Sequence, residues 1–503
     1  MNSPLTEGTL LSLLDRPDPA RLAIVDVHGN GITYGRLREL VDETHRFLWN
    51  RGVGPGDTVA TSLRNGPETA ASFLALVTYC RVAPLNPSFT ATEVAFVLRD
   101  VKARAMLTTR DAQEALAAAR ENGAAPIWID AGEVPGDFRL TSGAPEIPAE
   151  GSTNDIALLL HTSGTTARPK LVPLTQRNLY LSCRNVAAVL ELQAEDRCLS
   201  IMPLFHIHGL VAGLLASISA GATVICAPGF QATSFFSWLD SSRPTWYTAV
   251  PTMHQTILAR AKHNAAALAG HRLRAIRSSS SPLYPSVWEQ LEETFGVPVL
   301  NAYGMTEAAH QIASVRLPGG ARFRNTVGTG VGLDIAIMNA AGELLPAGEA
   351  GEVVLRGDQI TPGYLEPAGA NATAFHDGWF RTGDEGVLDA EGLLTLTGRL
   401  KEMINSGGEK VSPYEVEEAL LAHPGVAQAV AFSAPHELLG EQVAAAVVLK
   451  NGHAVTEREL LQTAGQTLAK CKMPRKILFV PEIPRGATGK LQRIGLAARL
   501  GLS

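Results

Sequence analysis

Short runs of apolar and β-branched residues recur along the first 300 residues, each separated from the next by a stretch with helical spacing. Leu22–Val27, Asp57–Ser62, Arg81–Leu85, Ala105–Leu107, Ile156–His161, Cys198–Met202, Trp246–Ala249 and Ala275–Ser278 read as strands. Between them lie patterns such as Leu37–Trp49, with Glu39, Asp42, Glu43 and Arg46 on its wet side, and the alanine-rich Glu68–Cys80. Such alternation predicts an α/β chain of layered sheets and helices in which the sheets are largely parallel.

The texture changes near Gly328. Val331–Met338, Gly351–Arg356, Gly386–Leu388 and Leu393–Gly398 are short strands divided by Gly- and Asp-rich turns, which predicts a β-rich, mostly antiparallel subdomain. After Arg399 the pattern is mixed again. Ser412-Pro413-Tyr414-Glu415 reads as a capping box that opens a helix ending near His423-Pro424-Gly425. Strands Ala427–Ser433 and Gln442–Leu449 and a helix over Glu457–Ala469 complete a small α+β domain.

Gly209–Ala227 is 19 residues without a charge, long enough to ask whether it spans a membrane. Its Gly/Ala/Ser content and the break at Ser219-Ala220-Gly221-Ala222 predict instead a buried helix ending near Gly221 and a strand from Thr223. At 503 residues with 43 Lys+Arg against 49 Asp+Glu, the chain has room for several folding units and no basic stripe, so nucleic-acid binding is not expected. Five scattered cysteines without a C-x-x-C pair argue against a disulfide framework or a structural zinc site. No secretory signal is recognised at the N-terminus, and the expected location is the cytoplasm.

The densest chemical signal is His161-Thr162-Ser163-Gly164-Thr165-Thr166-Ala167-Arg168-Pro169-Lys170 after an apolar strand. Backbone N–H groups, hydroxyls and an ammonium in one loop are what phosphate oxygens need, although a Walker A pattern is absent. The loop resembles the phosphate-binding loop of the acyl-adenylating (AMP-forming) superfamily. Four further blocks match in the family's order: Asn301-Ala302-Tyr303-Gly304-Met305-Thr306-Glu307, Arg381-Thr382-Gly383-Asp384, Gly398-Arg399-Leu400-Lys401-Glu402 and Pro484-Arg485-Gly486-Ala487-Thr488-Gly489-Lys490. The resemblance covers essentially the whole chain and points to the acyl-CoA synthetase branch.

The resemblance implies ATP, Mg²⁺ and coenzyme A, or a carrier-protein phosphopantetheine, as reactants. It places Thr162, Ser163, Gly164, Thr165, Thr166 and Lys170 at the phosphates, and Ala302, Tyr303 and Gly304 at adenine. Asp384 and Arg399 fall at the ribose, and Gly408 at the pantetheine tunnel. Glu307 matches the Mg²⁺ carboxylate, Thr306 its phosphate-contacting neighbour, and Lys490 the lysine bridging the acid and the α-phosphate. It further implies an N-terminal domain over 1–400 and a mobile C-terminal domain over 401–503 with its hinge at Lys401. Leu171 departs from the glycine usual after the loop lysine, so a small local backbone change is expected there.

Several runs resemble oxalate–CoA ligases: the loop itself, Phe205-His206-Ile207-His208-Gly209-Leu210, Thr245–Thr252 with His254-Gln255, and Glu307-Ala308-Ala309-His310. A very small dianion needs a short pocket with hydrogen-bond donors, which His206, Ser280 and His310 can supply; His206 also joins the catalytic candidates. His208 reads more simply as a packed core histidine. The expected partners are a small carboxylic acid, ATP and CoA. Loading of a carrier protein and a non-catalytic nucleotide-binding role are alternatives, and the oligomeric state is left open.

Overall fold

The structure is a computed structural model that describes residues 8–15, 17–143, 155–162, 169–320, 323–367, 369–406, 409–437, 439–484 and 493–502. It divides into two compact units: Met1–Gly164, Arg168–Asp334 and Arg356–Phe375 form one, and Thr165–Ala167, Ile335–Leu355 and His376–Ser503 the other.

The first unit is built on two sheets. A seven-stranded sheet runs in the order Phe138–Ser142, Ala125–Ala131, Ala103–Thr108, Thr58–Ser62, Arg81–Pro84, Ile156–Thr162, Lys170–Thr175. Its inner pairs are parallel and its two outer pairs antiparallel. A nine-stranded sheet centres on five parallel strands, Val299–Met305, Ala275–Ser278, Trp246–Ala249, Arg197–Ser200 and Thr223–Cys226, and the parallel strand Leu22–Val25 follows. These central strands are buried along most of their length, polar residues such as Arg277 and Asn301 included, as strands inside a parallel sheet covered on both faces are. Phe235, Phe236, Tyr247, Trp246 and Trp288 fill the core beside them. Each ring withdraws roughly 150–250 Å² from water, about 4–6 kcal/mol before entropy is counted.

The uncharged stretch folds as expected into short elements, with one addition. His208–Leu215 is a π-helix, continued by the α-turn Ala216–Ser219 and the strand Thr223–Cys226. Among the described residues no helix is long and apolar enough to cross a membrane. A π-turn is rare and recurs at functional sites, because the extra residue per turn re-aims side chains. Here it starts on a histidine.

The second unit holds two five-stranded sheets. In one, Ala350–Arg356, Trp379–Leu388 and Leu394–Arg399 pair antiparallel, as the Gly/Asp-rich turns predict. The other joins the long antiparallel pair Val426–His436 and Gly440–Leu449 to Lys476–Phe479, over the helices Pro413–Leu421 and Glu457–Ala464. The capping box read at Ser412 does not form: Ser412 gives its hydroxyl to the Thr397 carbonyl, and Glu415 pairs with Lys472 at 2.8 Å. A nearby lysine and an open carbonyl outbid the local cap. Thr456 and Glu459 do make a complete box at the next helix.

Candidate active site

Ile156–Thr162 and Lys170–Thr175 are antiparallel, with Thr162 opposite Lys170. They bracket the hydroxyl-rich loop; Ser163, Gly164, Thr165 and Thr166 lie outside the described residues, as do Gly408 and Lys490. At position 171, where glycine was expected, Leu171 bonds its N–H to the Glu366 carbonyl at 2.9 Å and is itself buried. The backbone of Leu171 pairs with the segment around residue 365, and its side chain adds to the buried cluster beneath the seven-stranded sheet.

That segment carries a group the sequence reading missed. The Lys170 ammonium lies 4.3 Å from the centroid of the Tyr364 ring, and the Tyr364 hydroxyl donates to Glu307 Oε1 at 2.8 Å. Thr361 adds a backbone bond, its N–H to the Glu307 carbonyl at 2.7 Å. Asn371 fixes Tyr364 by bonding both its N–H and its carbonyl at 2.8 Å. Burial, and then the Glu307 charge, push the phenol pKa well above its usual value, so it remains a donor. One tyrosine therefore ties the loop lysine to the buried carboxylate, two positions 137 residues apart in sequence. The only local signal was an aromatic after Thr361-Pro362-Gly363.

Glu307 sits in a one-turn helix, Thr306–Ala308, at the end of the strand Val299–Met305. Tyr303 is buried on that strand, and the Ala302 carbonyl takes the Ser279 hydroxyl at 3.0 Å. The turn then passes through two residues with positive φ, Ala309 at 50° and His310 at 91°, a costly conformation for side-chain-bearing residues. It brings the His310 carbonyl against Gly304, where a Cβ would meet that oxygen at 1.8 Å. Only glycine fits at 304.

His310 is turned inward and fully buried, and its Nε2 finds no hydrogen-bond partner among the described residues. Its ring stacks on His208 with centroids 4.8 Å apart. His208, at the start of the π-helix, bonds Ser280 Oγ at 3.0 Å through Nδ1 and Thr248 Oγ1 at 2.6 Å through Nε2. Ser280 is exposed and held at a φ of 71°. Burial foremost, then the neighbouring cations, drive both imidazoles well below the usual histidine range, so both are neutral at pH 7. His206 is half-buried, with its ring tilted against Phe205 at 5.4 Å. It is His208, read as a core histidine, that joins Ser280 to His310.

In the second unit Asp384 faces Arg399 across the strands Trp379–Leu388 and Leu394–Arg399, with Arg399 Nε 3.0 Å from Asp384 Oδ1. The sequence alone left Asp384 open as a turn aspartate; it lies mid-strand, with its carboxylate nearly buried. Lys401 is exposed in the turn that follows.

Comparison with known proteins identifies the family. Residues 15–365 match the family described as AMP-binding enzyme, and residues 415–490 the AMP-binding enzyme C-terminal domain. The chain belongs to the AMP-binding enzyme family. It is 43% identical to a "Probable CoA ligase CCL9" of Humulus lupulus, over 92% of this chain and 90% of that protein. It is 41% identical to an "Oxalate--CoA ligase" of Arabidopsis thaliana, over 98% of each. Among solved structures, ATP-bound MatB from Rhodopseudomonas palustris superposes with a TM-score of 0.86 at 28% identity, covering 98% of both chains. As a member of the acyl-CoA synthetase branch, the protein is an AMP-forming acid–thiol ligase that uses ATP and CoA.

Proposed function

We propose that this carboxylate–CoA ligase activates oxalate or another acid of similarly few atoms. The observation that carries the reading is the buried pair His208 and His310 with the exposed Ser280 bonded to it, His310 Nε2 having no hydrogen-bond partner among the described residues. A buried ring nitrogen costs free energy unless something bonds it. A small polar substrate placed there removes that cost, whereas a fatty chain would not. Similarity to the oxalate ligase supports the same choice.

In the first half-reaction a substrate carboxylate oxygen attacks the α-phosphorus of ATP, forming acyl-AMP and releasing pyrophosphate. Thr162, Lys170 and the loop of Ser163, Gly164, Thr165 and Thr166 hold the phosphates. Ala302, Tyr303 and Gly304 receive adenine, while Asp384 accepts from the ribose hydroxyls and Arg399 steadies it. Glu307 suits Mg²⁺: it is a buried hard-oxygen donor with one oxygen already oriented by Tyr364, and Mg²⁺ is commonly held by one or two carboxylates together with phosphates. Bound there, Mg²⁺ would neutralise charge on the phosphate oxygens. Thr306 adds a phosphate contact, His206 a donor at the acid, and Lys490 a cation between acid and α-phosphate.

In the second half-reaction the CoA thiolate attacks the acyl carbon and AMP leaves. The domain over 401–503 turns about Lys401 against 1–400 and brings Gly408 to the pantetheine arm. The five free cysteines, four of them buried, suit a reducing cytoplasm.

The test is pyrophosphate and AMP release by purified protein with ATP and Mg²⁺, with and without CoA. The acids to compare are oxalate, malonate, glyoxylate, acetate, benzoate and a medium-chain fatty acid. Oxalate should lead, and AMP release should require CoA. A medium-chain acid in first place would overturn the small-acid reading. Lys490→Ala should lower adenylate formation by at least about 10²–10³, and unchanged turnover would remove Lys490 from the mechanism.

A further inference from the structure

Arg277 lies inside the strand Ala275–Ser278, with Thr248 and Leu300 as its neighbours in the parallel strands on either side. The side chain is 1% exposed. Its hydrogen bonds go to uncharged acceptors, Nη2 to Gln311 Oε1 at 2.7 Å and Nη1 to Thr248 Oγ1 at 3.4 Å. Gln311 is itself buried and turned this way, because its amide nitrogen donates to the Ala313 carbonyl at 3.1 Å. Among the described residues no Asp or Glu forms an ion pair with Arg277.

An isolated buried charge is among the most expensive things a fold can contain. Burial pulls this guanidinium down only to about 9, so it stays charged at neutral pH. Thr248 Oγ1 links it directly to His208 Nε2, and His208 stacks on His310. The chain has therefore surrounded one fixed cation with a neutral amide, a hydroxyl and two neutral imidazoles. A mobile negative charge that arrives with the substrate would complete this set.

We propose that Arg277 is the specificity-determining charge of the acyl pocket and that it selects acids carrying a second negative group. This rests on reading His208, Ser280 and His310 as that pocket. One carboxylate of the substrate is presented to ATP; the second anionic group lies at the His310 and Ser280 end, in the field of Arg277. A monoanion of the same shape leaves the cation uncompensated.

Oxalate and oxamate provide the test, being nearly isosteric and differing by one negative charge. The quantity to measure is the ratio of kcat/KM for the two acids, by pyrophosphate release with the full-length enzyme. It does not depend on the fraction of protein that is active. Opposite charges separated by a few ångström more than direct contact, at the effective dielectric of a protein site, imply a preference of roughly 10–100-fold. Arg277→Gln should reduce the ratio by about that factor, mainly through KM for oxalate, and Arg277→Lys should restore part of it. Gln311→Glu, which gives Arg277 an internal carboxylate while leaving the arginine in place, should lower the ratio in the same direction.

If the ratio is unchanged in both Arg277→Gln and Gln311→Glu, Arg277 is a structural residue and the proposal falls. If the wild type ignores oxalate but prefers malonate to its monoamide, the oxalate reading falls, and the charge rule stands and is tested on that pair. A wild type that prefers monoanions throughout overturns both.

Discussion

Arg277 and Arg493 are both buried arginines, and the chain treats them in opposite ways. Arg493 Nη1 lies 2.9 Å from Glu402, its Nε and Nη2 grip Glu417 in a fork at 3.0 and 2.9 Å, and its guanidinium stands 4.6 Å over the Tyr414 ring. Burial alone would lower its pKa; the two carboxylates more than reverse this and hold it above the ordinary value. Among the described residues Arg277 receives an amide and a hydroxyl and no acid. A cation given two acids by its own chain is a fastener. It fixes Glu402, the residue after Lys401, to the helix Pro413–Leu421. A cation denied an acid is built to receive one. Burial is common to both residues, so burial does not distinguish these roles; the charge around each one does.

The largest effect that bears on this contrast is acid sensitivity of the first unit. His45 and His254 are held by burial at about 4 and about 3, and His208 and His310 lie well below their usual range. Unfolded, all four would bind protons near pH 6.5; folded, they stay neutral. Stability is therefore full above about 6.5 and is lost as pH falls, by about 1.4 kcal/mol per pH unit for each ring, about 5.5 for the four together. Urea melts at pH 7, 6 and 5 read that slope. A flat profile would show that the rings are charged in the native protein, and the neutral pocket around Arg277 would have to be abandoned.

Next in size is Arg493→Met, which strands two buried carboxylates and should cost about 3–5 kcal/mol. Adding Glu417→Gln should recover part of that loss in the same denaturant melts. Tyr364→Phe keeps the ring under Lys170 and removes only the hydroxyl on Glu307. Losing a hydrogen bond to a charged group implies about 1.5–3 kcal/mol of transition-state stabilisation, roughly a 10–100-fold fall in kcat/KM. The thermal midpoint should fall by no more than a few degrees, since one oxygen of the buried Glu307 loses its donor; a large drop with kcat/KM unchanged would make Tyr364 a packing residue. The smallest effect expected is on the ligand-free stability of Arg277→Met, a change within about 1 kcal/mol or a gain, since a buried charge without an opposite partner is removed. A loss as large as that of Arg493→Met would erase the distinction between the two arginines.

How much could be read from sequence depended on how far apart the deciding residues lie. Trp246–Ala249 and Ala275–Ser278 were readable to the residue, because each is a short strand-like run set between helical patterns. In the strand Trp379–Leu388 only the last three residues were recognised. Arg381-Thr382-Gly383-Asp384 looks like a turn until Glu352 and Arg399 arrive from neighbouring strands to pair with it. Tyr364 was invisible for the same reason, its partner Glu307 being 57 residues away. His208 was read as a packed core histidine and is indeed buried, but the π-turn that aims it at Ser280 has no signature in a 3.6-residue period. Arg277 passed unnoticed inside a short strand, where a lone arginine is ordinarily assumed to reach water. Motifs nominate the proposed nucleotide residues because their spacing is local; the residues proposed to meet the acid, His208, Ser280 and His310, come from separate strands and turns.

The missing side chain at Gly304 has a consequence for anyone wishing to redirect this ligase. The carbonyl of His310 occupies the space that a methyl group would need at position 304. On the proposed reading, the strand that receives adenine and the histidine that faces the acid share a wall one atom thick. Resizing the residue at 310 to admit a bulkier acid will displace that wall, and the penalty will be read as a higher KM for ATP. Ser280, exposed and on a separate loop, is the more independent place to begin.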